Sequence, residues 1–311
     1  MACGRMIRNN RRAGGSPRAA AASLCPESTD NRPPRTISAA YAAWCDCALA
    51  TWPWSTCGRR VRSIGACFYD RPATLGLPSI VGVIALFDAA NGQPLLFLES
   101  ATVTRLRTAA ATAVAVRHLA VPDAATLAVL GTGAQAAAHI AAVREVRPIE
   151  RILVWGRDPA KTARFAAQHG AEATSAPAEA ARQAAVVVTL TPSTDPYLAL
   201  RDVRPGTLVA AVGSDAPGKR ELHYDLLAAA TLITDVTHQC AAVGELHHRP
   251  QTPVKAELGE IVLGTKTGRE HADDLVVFDS TGTAVQDVAA AQALYTAAIK
   301  NGAGRPLPLR E

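Results

Sequence analysis

Apolar and polar positions along the chain fall into two regimes that meet near residue 60. Before it Arg, Ala, Pro and Cys dominate, and no helical or strand period is sustained. After it regular elements follow one another. Residues 81–88 (VGVIALFD) predict a strand, Asn91-Gly92 a turn, and residues 93–98 (QPLLFL) its hairpin partner. Residues 102–119, rich in Ala, Val and Leu, predict a helix. From there short apolar strands are expected at 126–131, 151–156, 184–190, 207–213, 231–236 and 275–280, with helices at 134–146 and 158–170. A last helix at 284–300 should pack back toward the first elements. Apolar strands alternating with helices imply a mostly parallel sheet covered on both faces.

Composition narrows the class. The chain has 311 residues, 49% hydrophobic and 19% charged, which suits two globular domains. No apolar run reaches the roughly 18 residues that a membrane span needs. A net charge of +5, owed mainly to N-terminal Arg, is too small and too local to imply nucleic acid. Of seven cysteines, Cys3, Cys25, Cys45, Cys47, Cys57 and Cys67 lie early and only Cys240 follows. That distribution staples no folded body, and Cys45 and Cys47 have no matching pair or His cluster for zinc. Reduced thiols and a cytoplasmic location are expected. His223, His238, His247 and His248 lack the spacing of a metal motif, so no metal is expected.

Chemistry concentrates in Gly131-Thr132-Gly133-Ala134-Gln135-Ala136, set between an apolar strand and a helix. Gly131 permits a tight turn, and Gly133 lets the backbone approach a pyrophosphate. The helix start adds amide donors and a positive dipole. Ala136 takes the third glycine's place, as the Rossmann pattern allows. The second strand ends in Trp155-Gly156-Arg157-Asp158. An acid at that end would favour NAD; Arg157 suits the 2′-phosphate of NADP, with Lys161 a turn further on. A solvated surface Arg is the plain alternative, and Asp158 has a second reading as the N-cap of the next helix.

The runs LGLPSIVGVIALFDAANGQPL (75–95), TRLRTAAATAVAVRHLA (104–120), LGTGAQA (130–136), VTLTPS (188–193), AVGSDAPGKREL (211–222), DVTHQ (235–239), VGEL (243–246) and VFDSTGTAVQD (277–287) resemble, in order and spacing, the ornithine cyclodeaminase/mu-crystallin family. The resemblance covers residues 74 to 303. It implies an α/β fold: a Rossmann-type parallel-sheet domain plus a smaller α+β substrate/dimerisation domain. The expected boundaries are 61–120 with 284–311 for the smaller domain and 121–283 for the dinucleotide-binding one. Residues 1–60 are atypical, and three readings stay open: a transit peptide, a disordered tail, or text read out of its ancestral frame.

The resemblance also implies roles. Asp215 would be the catalytic carboxylate that shuttles protons, and Arg107 would bind the substrate carboxylate, with Lys219 beside substrate or cofactor. Thr191, Val212, Gly213, Ser214 and Ser280, with Ser79, would contact the cofactor, as would the Gly131–Gln135 loop and Arg157. The implied protein is an NAD(P)-dependent homodimer, with NADP(H) favoured, acting on a small amino acid or cyclic imine by cyclodeamination, ketimine reduction or amino acid dehydrogenation. The other readings are an NADPH-binding protein without efficient catalysis and an inactive product of a damaged gene. One departure bears on this: the family carries a substrate-binding Lys upstream, yet the first Lys here is Lys161. In register its position falls near Ile64, with Arg62 the nearest cation.

Overall fold

Successive residues of each apolar run bury into different cores, which is why the runs read as continuous rather than alternating. Leu127, Val129, Ile152, Val154, Val186, Val188, Leu208, Ala210, Val276 and Phe278 face one hydrophobic cluster. The residues between them, Ala128, Leu130, Leu153, Val187, Val209, Ala211 and Val277, face a second. A sheet apolar on both sides must be covered on both.

The computed structural model describes residues 59–67 and 80–308. Residues 1–58, on which the transit-peptide, disordered-tail and altered-frame readings fall, lie outside the described residues, as does Ser79. The elements run β1 (Arg59–Cys67), β2 (Ile80–Asp88), β3 (Pro94–Glu99), α1 (Ser100–Leu119), β4 (Thr126–Leu130), α2 (Ala136–Arg144), β5 (Arg151–Trp155), α3 (Pro159–His169), β6 (Glu172–Ala173), α4 (Pro177–Ala181) and β7 (Val186–Thr189). Then come β8 (Leu208–Ala211), α5 (Tyr224–Ala229), β9 (Thr231–Thr234), α6 (Thr237–Val243), β10 (Val254–Glu257), α7 (Leu258–Val262), β11 (Val276–Asp279) and α8 (Ala284–Asn301). Strands β1-β2-β3 form an antiparallel sheet, and eight others a parallel sheet of order β10-β9-β11-β8-β7-β4-β5-β6.

The order β6-β5-β4-β7-β8 reverses direction at β4/β7, so a crevice opens there beyond the carboxyl ends of the strands. Helix α1 links the two sheets. Its residues 108–116 are all buried, as expected of a helix apolar on every side. One continuous cluster runs from Ile84, Leu86, Leu96 and Leu98 of the hairpin through Val114 and Val116 to Val129 and Val186. The Glu99 carboxylate caps α1 by accepting from Thr102 N (2.9 Å) and Ala101 N. Helix α8 packs on α1, β1 and β2. No helix of the described residues is long and apolar enough to cross a membrane.

Candidate active site

The central strands end at Leu130 (β4), Thr189 (β7), Ala211 (β8) and Asp279 (β11). In β7 and β8 the apolar run goes one residue further, to Leu190 and Val212. The residues that follow leave the sheet at the carboxyl ends, where the candidate site lies.

Gly131 sits at φ 124°, donates its N–H to Trp155 O (2.8 Å), and would place a Cβ 2.8 Å from Leu190 O. A side chain is therefore excluded twice, by backbone conformation and by the end of β7. Gly131→Ala is expected to destabilise the protein by about 1–3 kcal/mol or more and to weaken dinucleotide binding; a denaturant melt and a titration read the two effects. Gly133 differs: a Cβ there meets nothing within 4 Å, so the protein leaves that space open for something else to approach. At Gly156 a Cβ would meet the Thr132 and Thr162 hydroxyls at 2.8 Å, which lets the end of β5 lie against the loop.

The N–H groups of Thr132, Gly133, Ala134 and Gln135 have no protein acceptor among the described residues, and they lead into α2. The Gln135 carbonyl accepts from His139 N (3.1 Å) and His139 Nδ1 (2.9 Å), while Gln135 Oε1 is buried without a partner. Burial pushes the His139 imidazole down to about 4, against the raising effect of that Gln135 bond, so it is neutral and donates from Nδ1. Open amides at a helix start, with room over Gly133, fit a pyrophosphate. Arg157 is exposed just past β5. Asp158 caps α3, accepting from Lys161 N at 3.0 Å, and that bond holds its carboxyl below the usual range.

Across the crevice the loops after β7 and β8 meet at a residue that the sequence did not single out. Glu221 is fully buried. Its Oε1 accepts from Thr191 Oγ1 (2.6 Å), Thr191 N (2.7 Å) and Tyr197 OH (2.8 Å). Its Oε2 accepts from Thr189 Oγ1 (2.5 Å) and Gly213 N (2.9 Å). A Cβ on Gly213 would meet Glu221 Cδ at 2.5 Å, so only glycine fits there. Burial pushes the Glu221 carboxyl up, opposed by the Thr189, Thr191 and Tyr197 bonds.

Val212 is buried, and beyond it the loop closes on itself. Ser214 is buried with its hydroxyl donated to Lys219 O (2.9 Å), so that side chain serves the loop. His248 Nε2 also bonds Lys219 O, at 2.7 Å. Lys219 Nζ lies 2.5 Å from Asp215 Oδ1; the Lys219 side chain is 11% exposed and that of Asp215 is 48% exposed. One carboxylate oxygen is thus fixed while the group still faces outward.

Next to β8, the loop after β11 carries Ser280, which is buried and gives its hydroxyl to Asp235 Oδ2 (3.1 Å). Asp235 Oδ2 also accepts from Gly282 N at 2.7 Å. Arg107 of α1 reaches the same loop. A Cβ on Gly282, at φ 76°, would lie 2.5 Å from Arg107 Nη1. That nitrogen donates to Gln286 Oε1 (2.9 Å), and Nε lies 3.2 Å from Asp287 Oδ1. Arg107 is therefore a largely enclosed, partnered side chain, not the solvated helix Arg that its surroundings in the sequence suggest.

Comparison with known proteins identifies the family and the fold. The family model described as "Ornithine cyclodeaminase/mu-crystallin family" matches residues 61–302. The alanine dehydrogenase of Archaeoglobus fulgidus is 34% identical over 238 residues, 74% of each chain. Two solved structures share the fold. The Delta(1)-pyrroline-2-carboxylate reductase of Thermococcus litoralis, in complex with NADH and L-proline, has TM-score 0.76 and 28% identity over 79% of this chain and 80% of that one. A lysine cyclodeaminase, solved for its recognition of L-lysine, L-ornithine and L-2,4-diaminobutyric acid, has TM-score 0.75 and 34% identity over 81% of this chain and 75% of that one. With the glycine loop, the Arg107 helix and the Asp215 loop all inside the matched span, the chain belongs to the ornithine cyclodeaminase/mu-crystallin family.

Proposed function

We propose that the chain is an NAD(P)-dependent oxidoreductase that moves hydride at the α-carbon of a small amino acid or at the carbon of the matching imine. The carrying observation is Asp215. It stands on the loop leaving β8, one oxygen is held by Lys219, and half of its side chain is open. Its other oxygen would take a proton from, or return one to, the substrate nitrogen or an attacking water. A bound nicotinamide would supply the hydride chemistry. The open amides of Thr132 to Gln135 would hold the pyrophosphate, and Thr191, Val212 and Gly213 would line the nicotinamide side. Ser280 and Ser214 would shape that side through their backbones, since their hydroxyls are bonded within the protein. Arg107 would orient the substrate carboxylate, so that charge and direction are set by one group.

The hairpin sheet with α1 and α8 (61–120 and 284–311) would form the substrate and dimerisation part, and 121–283 the dinucleotide part. The packing of α8 on α1, β1 and β2 supports this division. A homodimer is supported by the archaeal alanine dehydrogenase, which is described as a dimer with bound NAD.

The test is a screen with purified protein. It follows NADPH and NADH oxidation with Δ1-pyrroline-2-carboxylate and with pyruvate plus ammonia, and ammonia release from L-ornithine. Turnover of none of these, with the dinucleotide bound, would count against the enzyme reading. Cofactor choice has its own prediction. Arg157 is exposed and Asp158 is engaged as a cap, so NADPH is expected to bind more tightly than NADH. Arg157→Asp should reverse that order, and direct titration of both dinucleotides checks it.

A further inference from the structure

We infer that Glu221 is the positioning residue of the nicotinamide half of the site, and that it is the last link of a chain of buried carboxylates beginning at Asp279. The inference rests on the dinucleotide reading above and adds a residue and a mode of action to it.

Each link receives backbone N–H groups from the segment that carries the next link, one N–H on each oxygen. Asp279 at the end of β11 accepts from Glu245 N (3.1 Å) on Oδ1 and Leu246 N (2.9 Å) on Oδ2. Glu245 accepts from Glu221 N (2.7 Å) on Oε1 and Leu222 N (3.3 Å) on Oε2. Glu221 accepts from Thr191 N on Oε1 and Gly213 N on Oε2, at 2.7 and 2.9 Å. Asp279 and Glu221 are 0% exposed and Glu245 is 1% exposed. Burying three carboxyl groups so close together is costly. Burial pushes all three up, Asp279 to about 7, and their mutual repulsion raises Glu245 further.

What the chain accomplishes is legible at its end. Thr191 and Gly213 belong to different loops, after β7 and after β8, and Glu221 joins them. Asp215 follows Gly213 by two residues, so the same carboxylate fixes the root of the catalytic loop. Tyr197 ties in from the side, its hydroxyl on Glu221 and its ring 5.5 Å from that of Trp155 at the end of β5. No link of the chain bonds to residues 131–135 or to Arg157, which form the other half of the crevice. An amide cannot replace Glu221. Whichever way it turned, its NH2 would face a backbone N–H, of Thr191 or of Gly213.

The two halves separate the test. Glu221→Gln, in the full chain, is titrated with NADPH and with its nicotinamide-free fragment 2′-phospho-ADP-ribose. NADH and ADP-ribose form the parallel pair, and thermal melts run alongside. NADPH or NADH affinity should fall about tenfold or more, the scale of one lost charged hydrogen bond, while the fragments bind as before. Tyr197→Phe removes one donor and keeps the ring, so the same split should appear at smaller size. It decides alone where Glu221→Gln does not fold. Equal losses for dinucleotide and fragment would reduce Glu221 to general support of the fold, and unchanged dinucleotide affinity would equally overturn the inference. An unmodified protein that binds neither dinucleotide nor fragment would overturn the dinucleotide reading itself, and that result is seen before any variant is made.

Discussion

Asp215→Asn is expected to keep dinucleotide affinity and to lower turnover by roughly 10²-fold or more, the usual scale of general acid–base catalysis. The structure makes this a clean substitution. Asn is the same shape and its carbonyl oxygen can still accept from Lys219 Nζ, which lies 2.5 Å from the carboxylate. The loop is held elsewhere, by Gly213 N on Glu221 and by Ser214 and His248 on Lys219 O. Only the ability to take and give a proton is removed. Loss should therefore appear in kcat rather than in the dinucleotide dissociation constant, measured on a substrate that the screen shows to turn over. Turnover equal to that of the unmodified protein would remove Asp215 from the proton path.

The contrast between what the sequence shows and what it hides follows one physical line. Strands of the parallel sheet announce themselves because both faces are apolar. Val186 to Val188 reads as a strand in any register. Those same patterns run too far at the carboxyl ends, since Leu190 and Val212 are apolar but lie past the ladder. β10 is hidden because Lys255 and Glu257 break its pattern, and α5 and α6, at six and seven residues, are too short to show a helical period. The glycine loop is legible locally because its strand, turn and helix are consecutive. Glu221, Glu245 and Asp279 are not. In sequence each is an acid near other polar residues, and nothing local distinguishes a buried acceptor from a solvated charge. Their partners are 8 to 34 residues away, and only the folded sheet brings them together. Glu221 lies inside a run that the family resemblance already marked, two residues past Lys219, and that was the one available signal. The roles of Arg107 and Asp215 are implied by family resemblance alone, and the enclosure of Arg107 by Gln286 and Asp287 arises only in three dimensions.

That enclosure sets the expected behaviour of Arg107 in its proposed role as substrate clamp. Arg107 Nη1 is taken by Gln286 and Nε faces Asp287, so Nη2 is the edge with no protein acceptor among the described residues. A substrate carboxylate would then meet one open Arg107 donor and a charge already partly balanced, and the family's upstream Lys has no counterpart, since no Lys precedes Lys161. Binding should be weak yet dependent on the carboxylate. A charged hydrogen bond contributes roughly 1.5–3 kcal/mol, so Arg107→Ala should weaken binding by about one to two orders of magnitude. The same change leaves Asp287, with a side chain only 12% exposed, without its cation. Removing one partner of a buried pair costs about 3–5 kcal/mol, and part of that should appear as a lower melting temperature. Arg107→Lys separates the two effects. It restores a charge beside Asp287 and so most of the stability, but it lacks the planar fork and should recover only part of the affinity. Arg62, opposite Ala85 in the β1–β2 register, provides a further comparison: Arg62→Ala should lower affinity only if that cation stands in for the family's Lys. The measurement is titration of the NADPH complex of each variant with Δ1-pyrroline-2-carboxylate, set against Δ1-pyrroline, which lacks the acid. If the two bind the unmodified protein equally well, Arg107 does not clamp a carboxylate, and its role ends with holding α1 to the loop after β11.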